Sequence, residues 1–234
     1  LSMADAGLGG KTGADLPTGK NLVGAFHPPA RLVACPAFLR SLPERQMESG
    51  RYELVKAAML LGDEGWMEEL LGPAPIRAAW IERALAFKAG VVHRDPREQD
   101  ERRLLNLGHT LGHAVESASG YKLLHGEAVG IGLLASCLLA EVQGLRPFPA
   151  SLTRKLAARL APLASWLPPW ESLLPWLLRD KKGVGLQAGP GFQIHCILPR
   201  PGETAVQRLL PPEIWAEPFA RVKHLMQQED PTRA

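Results

Sequence analysis

The sequence predicts a mainly α chain: a helical domain over residues 43–234, preceded by a short β-containing piece over residues 1–42. Three observations lead there. Apolar residues recur at helical spacing from Pro43 onward. The stretch before it is rich in Gly and Pro with short β-type runs. Each apolar-periodic stretch ends on a breaker, namely Gly72-Pro73, Asp95-Pro96, Gly120 or Gly144.

Taken in order, residues 21–26 and 31–35 read as two strands joined by the His27-Pro28-Pro29 turn. Helices are expected over 51–61, 64–71 and 76–92. Residues 101–119 form one further helix, and 127–143 form a buried one by their near-continuous apolarity. Several prolines divide 146–180 into short helices, with Trp166, Trp170 and Trp176 as packing residues. A strand over 192–198, a turn over 199–202 and a closing helix over 214–228 complete the chain.

Composition bounds the function. With 46% hydrophobic and 22% charged residues, the 234-residue chain can bury a real core. A net charge of +3 and scattered basic residues argue against a nucleic-acid partner. The longest mostly apolar stretch, 128–140, falls short of the ~20 residues that span a membrane. Three widely spaced cysteines, Cys35, Cys137 and Cys196, suit a reducing compartment. No leader is visible and the first residue is Leu1, so the chain reads as a cytoplasmic piece of something longer.

Three of the seven histidines fall between positions 109 and 125. His109 and His113 are four apart and share one helix face, and His125 follows a Gly-bearing loop. Neutral imidazoles at such spacing can converge on a divalent metal, which also takes carboxylates. Glu53 is the candidate carboxylate, because it sits in an otherwise apolar helix; its alternative is an ordinary pair with Lys56. Glu127 is a further candidate, though it reads better as a residue of a helix N-terminus.

The run Gly9-Gly10-Lys11-Thr12-Gly13 is no P-loop, since Asp5 stands where that motif needs Gly and no helix follows. It suits either an anion approaching the backbone or a flexible turn. Among the dispersed cations Lys20, Lys88, Arg102, Lys181 and Lys182, Arg102 is the best candidate for an anion contact. Its spacing places it on one helix face with Asn106 and His109.

Together, Asp5-x-x-x-Gly9-Gly10-Lys11-Thr12-Gly13, Gly19-Lys20-Asn21-Leu22-x-Gly24-Ala25-Phe26, Glu53-x-x-Lys56, Leu105-Asn106-x-Gly108-His109-Thr110-x-Gly112-His113-Ala114 and His125-Gly126-Glu127-Ala128-Val129 resemble 3-dehydroquinate synthase, in order and from Leu1 to about Pro201. The resemblance implies conversion of 3-deoxy-D-arabino-heptulosonate 7-phosphate to 3-dehydroquinate, in the shikimate pathway. It implies NAD and zinc, with cobalt as a substitute, and a homodimer. NAD oxidises a ring hydroxyl, phosphate leaves, the ketone is reduced back, and ring opening and aldol closure follow.

By the same resemblance, Glu53, His109 and His125 match metal ligands. Lys11, Lys56, Lys88, Arg102, Asn106 and His113 match catalytic positions, with His113 as a proton relay. Asn21, Lys181 and Lys182 match substrate-binding positions. Asp5, Lys20, Ser41 and Leu42 match positions near the cofactor, so residues 1–42 would be the end of a Rossmann-like NAD-binding α/β domain. Two residues depart from the family pattern: Tyr52 replaces a small residue, and Pro96 an acidic one. Alternatives are another NAD- and metal-dependent sugar-phosphate cyclase, a polyol dehydrogenase, or a non-catalytic metal-binding module.

Overall fold

The computed structural model describes residues 2–16, 19–178 and 191–229, with the side chains of 15–22 outside that description. Most of it is helical, as the apolar periodicity requires. One turn of π-helix, Ser2–Ala6, precedes an antiparallel hairpin of β1 (Lys11–Leu16) and β2 (Gly19–Phe26). Lys11 lies opposite Phe26 and Gly13 opposite Gly24.

The hairpin is not the one the sequence suggested. β2 pairs with the Gly-rich run ahead of it, and residues 31–35 carry no strand. The ladder's last rung is the His27 N–H donating to Gly10 O at 2.7 Å. Pro28 and Pro29 follow and have no N–H with which to continue it.

The helices are α1 (Glu44–Leu60), α2 (Glu64–Leu71), α3 (Ala78–Arg94), α4 (His109–Ala118), α5 (His125–Val142), α6 (Ala150–Leu160), α7 (Trp170–Leu178) and α8 (Ala216–Gln228). α1 begins right after Pro43, well before the expected start at 51. Its first turn is exposed, so apolar periodicity cannot reveal it. Asp63 caps α2, accepting the Trp66 N–H at 2.8 Å.

A second hairpin pairs β3 (Ile194–Arg200) with β4 (Glu203–Leu210). β4 was not expected, and its burial explains why: among its eight residues only Ala205 is fully buried, so the strand shows no alternation. A 3-10 turn, Pro212–Trp215, takes the start expected of the last helix. Trp166 was expected to pack inside and does not. It is 41% exposed, with the Arg45 guanidinium 4.6 Å over its ring. Trp176 is exposed as well.

α5 is the axis of the molecule. It is long and apolar enough to cross a membrane, but 83% of it is buried here against protein. α1 and α4 touch its backbone directly. A Cβ added at Gly126 would lie 1.9 Å from Ser49 O on α1, and one at Gly132 would lie 1.9 Å from Gly108 O, beside α4. Only glycine allows either approach.

Gly132 therefore gives a sign test. Replacing a helix-interior Gly by Ala ordinarily gains about 1 kcal/mol, whereas overpacking against fixed backbone costs about 1–3 kcal/mol. Gly132→Ala is expected to lower the thermal midpoint, by up to roughly 8 °C for a domain of this size. A midpoint that rises would show that the helices are not in this contact.

Candidate active site

Three helices supply the cluster. Glu53 comes from the buried middle of α1, His109 is the first residue of α4, and His125 is the first residue of α5. His109 can stand at a helix start because Gly108 adopts a left-handed φ of 76°. That turn also breaks the expected 101–119 helix in two. Residues Glu101–Asn106 form a 3-10 turn, and a separate helix begins at His109. The proposed common helix face of Arg102, Asn106 and His109 therefore does not exist.

His125 is held by the start of α5. Arg45 Nε donates to Glu127 Oε1 at 2.6 Å, its Nη2 donates to Oε2 at 2.7 Å, and it also reaches Lys122 O. The same Glu127 Oε2 accepts the Leu124 N–H at 2.8 Å. Ser49 Oγ accepts the N–H of Gly126. Glu127 is thus a clamp on the helix start, as its position in the sequence suggested.

The imidazoles converge. Ring centroids of His109 and His113 are 5.3 Å apart, those of His109 and His125 5.3 Å, and those of His113 and His125 5.6 Å. One nitrogen from each lies within 4.8 Å of the others. Glu53 Oε1 is 3.8 Å from His109 Nε2 and 3.6 Å from His125 Nε2.

The Glu53 side chain is only 1% exposed, and neither oxygen accepts a directed hydrogen bond, although Lys56 Nζ stands 2.6 Å from Oε2 as an ion-pair partner. A buried carboxylate oxygen left this way costs several kcal/mol unless a cation meets it. Two imidazole nitrogens and one carboxylate oxygen facing one point are a donor set that zinc or cobalt accepts. The residues present therefore fit a divalent metal, with His113 as a neighbouring donor.

The electrostatics suit that reading. Burial, and then the charge of Lys56, hold the His109 imidazole well below its usual range, in the neutral form that ligates. Burial also pulls His125 down, but its hydrogen bond to Glu116 and the Glu53 charge raise it overall. Tyr52, raised by burial, donates its hydroxyl to Arg159 O at 3.1 Å. It points away from the histidine cluster rather than crowding it.

From Glu53 a line of alternating charge leads away. Lys56 Nζ is 3.4 Å from Asp5 Oδ1, which is 3.1 Å from Lys88 Nζ. Lys88 also donates to Asp5 O at 2.6 Å. Glu53 thus both pairs with Lys56 and faces the histidines.

A second network surrounds the glycine-rich run. Arg102 is buried and donates to Gly9 O and Pro96 O. Lys11, 47% exposed at its side chain, pairs with Glu98, and Asn106 Nδ2 donates to Glu98 Oε1 at 2.6 Å. Glu98 escaped sequence reasoning. It holds a φ of 57°, rare for a residue with a side chain, in a turn built by Asp95. The Asp95 carboxylate accepts the N–H groups of Gln99, Asp100 and Arg102. An Asp before Pro was the available signal, but it marks a turn and not the residue the turn presents.

Ser41 caps its own turn through Phe38 O, and Leu42 lines a small crevice with Met3 and Ala4. No contact joins either to the histidines among the described residues. The side chains of Lys20 and Asn21, and the whole of Lys181 and Lys182, lie outside the described residues.

Asp5 links the site to acid stability. Burial opposes its charge, but Lys56 and Lys88 outweigh burial and lower its pKa from 3.8 to about 2. A lowered carboxylate stabilises the fold above its unfolded value and loses that contribution as pH falls through the folded one. The contribution is about 2 kcal/mol. Asp5→Asn should lower stability to urea by about that much at neutral pH. The gap should close between pH 3.8 and about 2. A gap independent of pH would refute the assignment.

A family model described as 3-dehydroquinate synthase C-terminal matches residues 50–183, and one described as 3-dehydroquinate synthase N-terminal matches residues 1–49. A 3-dehydroquinate synthase of Lactiplantibacillus plantarum is 47% identical over 194 residues, covering 79% of this chain and 54% of the relative. One from Symbiobacterium thermophilum is 41% identical over 219 residues, covering 88% and 59%. The chain spans a little over half the length of these relatives.

Among solved structures, a 2-epi-5-epi-valiolone synthase from Streptomyces hygroscopicus with NAD+ and Zn2+ bound matches with a TM-score of 0.71 at 26% identity, covering 98% of this chain and 64% of that one. A 2-deoxy-scyllo-inosose synthase complexed with carbaglucose-6-phosphate, NAD+ and Co2+ shares the fold, with a TM-score of 0.69 at 23% identity over 97% of this chain and 63% of that one. By its family models and its relatives, the chain belongs to the 3-dehydroquinate synthase family.

Proposed function

We propose that this chain is the metal- and substrate-binding part of a 3-dehydroquinate synthase, acting on 3-deoxy-D-arabino-heptulosonate 7-phosphate to give 3-dehydroquinate and phosphate. The observation that carries the reading is the meeting of Glu53 Oε1 with His109 Nε2 and His125 Nε2 at 3.8 and 3.6 Å. In this reading Glu53, His109 and His125 hold zinc, and residues 1–42 end a nucleotide-binding domain while 43–234 form the helical one. It extends to a cytoplasmic homodimer.

When bound, zinc supplies Lewis acidity toward the substrate's oxygens, and NAD supplies a hydride acceptor that is regenerated in each turnover. The chain's own groups supply the rest. His113 is exposed beside the buried His109 and the half-buried His125, so it reaches both solvent and the space they face, which suits a proton carrier. Lys56 and Lys88 bring buried positive charge, held in place by Asp5. Lys11 and Asn106, aligned by Glu98, offer donors from the opposite network. Arg102 anchors the glycine-rich run through Gly9 O, leaving its role toward an anion indirect.

A second reading, a different sugar-phosphate cyclase, is supported by the likeness to the valiolone synthase. The two part on the substrate's carboxylate. The complete polypeptide, given NAD and zinc, should release phosphate from the heptulosonate phosphate, stop on chelation and accumulate no NADH. Preference for a heptulose phosphate lacking the carboxylate would favour the second reading, and net NADH would favour a polyol dehydrogenase.

The histidines should separate by readout. His113→Ala is expected to lower kcat by roughly 10²- to 10⁴-fold while zinc stays bound. His109→Ala should weaken zinc by more than the roughly 10- to 100-fold typical of losing an outer partner. Equal zinc loss in both variants would make His113 a ligand instead.

A further inference from the structure

Each imidazole that faces Glu53 has its other ring nitrogen engaged. His109 Nδ1 lies 3.0 Å from Leu107 O, a carbonyl made available by the left-handed turn at Gly108. His125 takes a different partner. Its Nδ1 instead lies 3.2 Å from Glu116 Oε2. Glu116 is buried and comes from α4, the helix that begins with His109. Carbonyl and carboxylate oxygens only accept, so both Nδ1 atoms carry a proton, and in the neutral form of each ring Nε2 keeps its lone pair.

We propose that Glu116 is a positioning residue of the metal centre: it holds His125 in the Nδ1–H tautomer, with Nε2 aimed at Glu53 Oε1, and so sets the affinity for the ion. The proposal rests on the zinc reading above. Its physical content is that an imidazole whose ring is fixed and whose far N–H meets a carboxylate is a pre-oriented and more basic ligand. The device also couples the two histidines, since one helix carries His109 and the carboxylate that orients His125. A shift of α4 along α5 would displace a ligand and its neighbour's support together.

The test compares Glu116→Ala and Glu116→Gln with the wild type, by competition against a chelator and by the visible absorption of the cobalt forms. Glu116→Ala should bind zinc about 10- to 100-fold more weakly. Its cobalt spectrum should change while the metal-free melting temperature stays close to wild type. Glu116→Gln keeps an accepting oxygen, so it should restore the cobalt spectrum and recover part of the affinity.

A folded Glu116→Ala that binds zinc within about twofold of wild type, against the 10- to 100-fold expected of an orienting partner, overturns the proposal. A wild type that binds no zinc removes the metal reading and this one with it. The wild type also gives an answer without any variant. Imidazole nitrogen resonances of the metal-free chain, taken where His125 is neutral, should show Nδ1 protonated; protonation at Nε2 overturns the proposal.

Discussion

Backbone contact between helices sets the distances in the site. α5 meets Ser49 of α1 at Gly126 and meets Gly108 at Gly132. Each contact adjoins a residue of the cluster: Gly126 follows His125, Gly108 precedes His109, and Ser49 lies one helical turn before Glu53. The three donors are therefore located by backbone against backbone, with little side-chain freedom between. Replacing either glycine would move a helix before it altered any donor.

Charge then adds a second layer. Glu53, Lys56, Asp5 and Lys88 alternate in sign through the interior, so each buried group faces an opposite one. Arg45, Glu127 and the Leu124 N–H do the same for the start of α5. The site's neutral imidazole at His109 follows from this arrangement, because burial and the nearby Lys56 both oppose a further positive charge.

Much of this was legible in the residues. Periodicity located α2 to the residue, and the i, i+4 histidines with Glu53 marked the cluster. What escaped depends on long-range or backbone terms. The 101–119 segment reads as one helix because its apolar spacing is unbroken, yet Gly108 turns left-handed to meet α5. The first hairpin was displaced because Pro28 and Pro29 end a ladder that the β-type residues after them appeared to continue. Glu98 and Glu116 carry no pattern of their own; the first depends on an unusual φ and the second on a partner nine positions away in sequence.

The place of Asp5 has a consequence for how the two parts of such a chain can be recombined. The turn Ser2–Ala6 contributes the counter-ion that Lys56 and Lys88 share. The two family models divide the chain between residues 49 and 50, but in space an ion pair crosses that division into the helical part. A chimera that takes its first part from another protein must bring an acidic side chain to that same point. Without one, two ammonium groups would face each other beside Glu53, and the graft would fail in the half it left untouched.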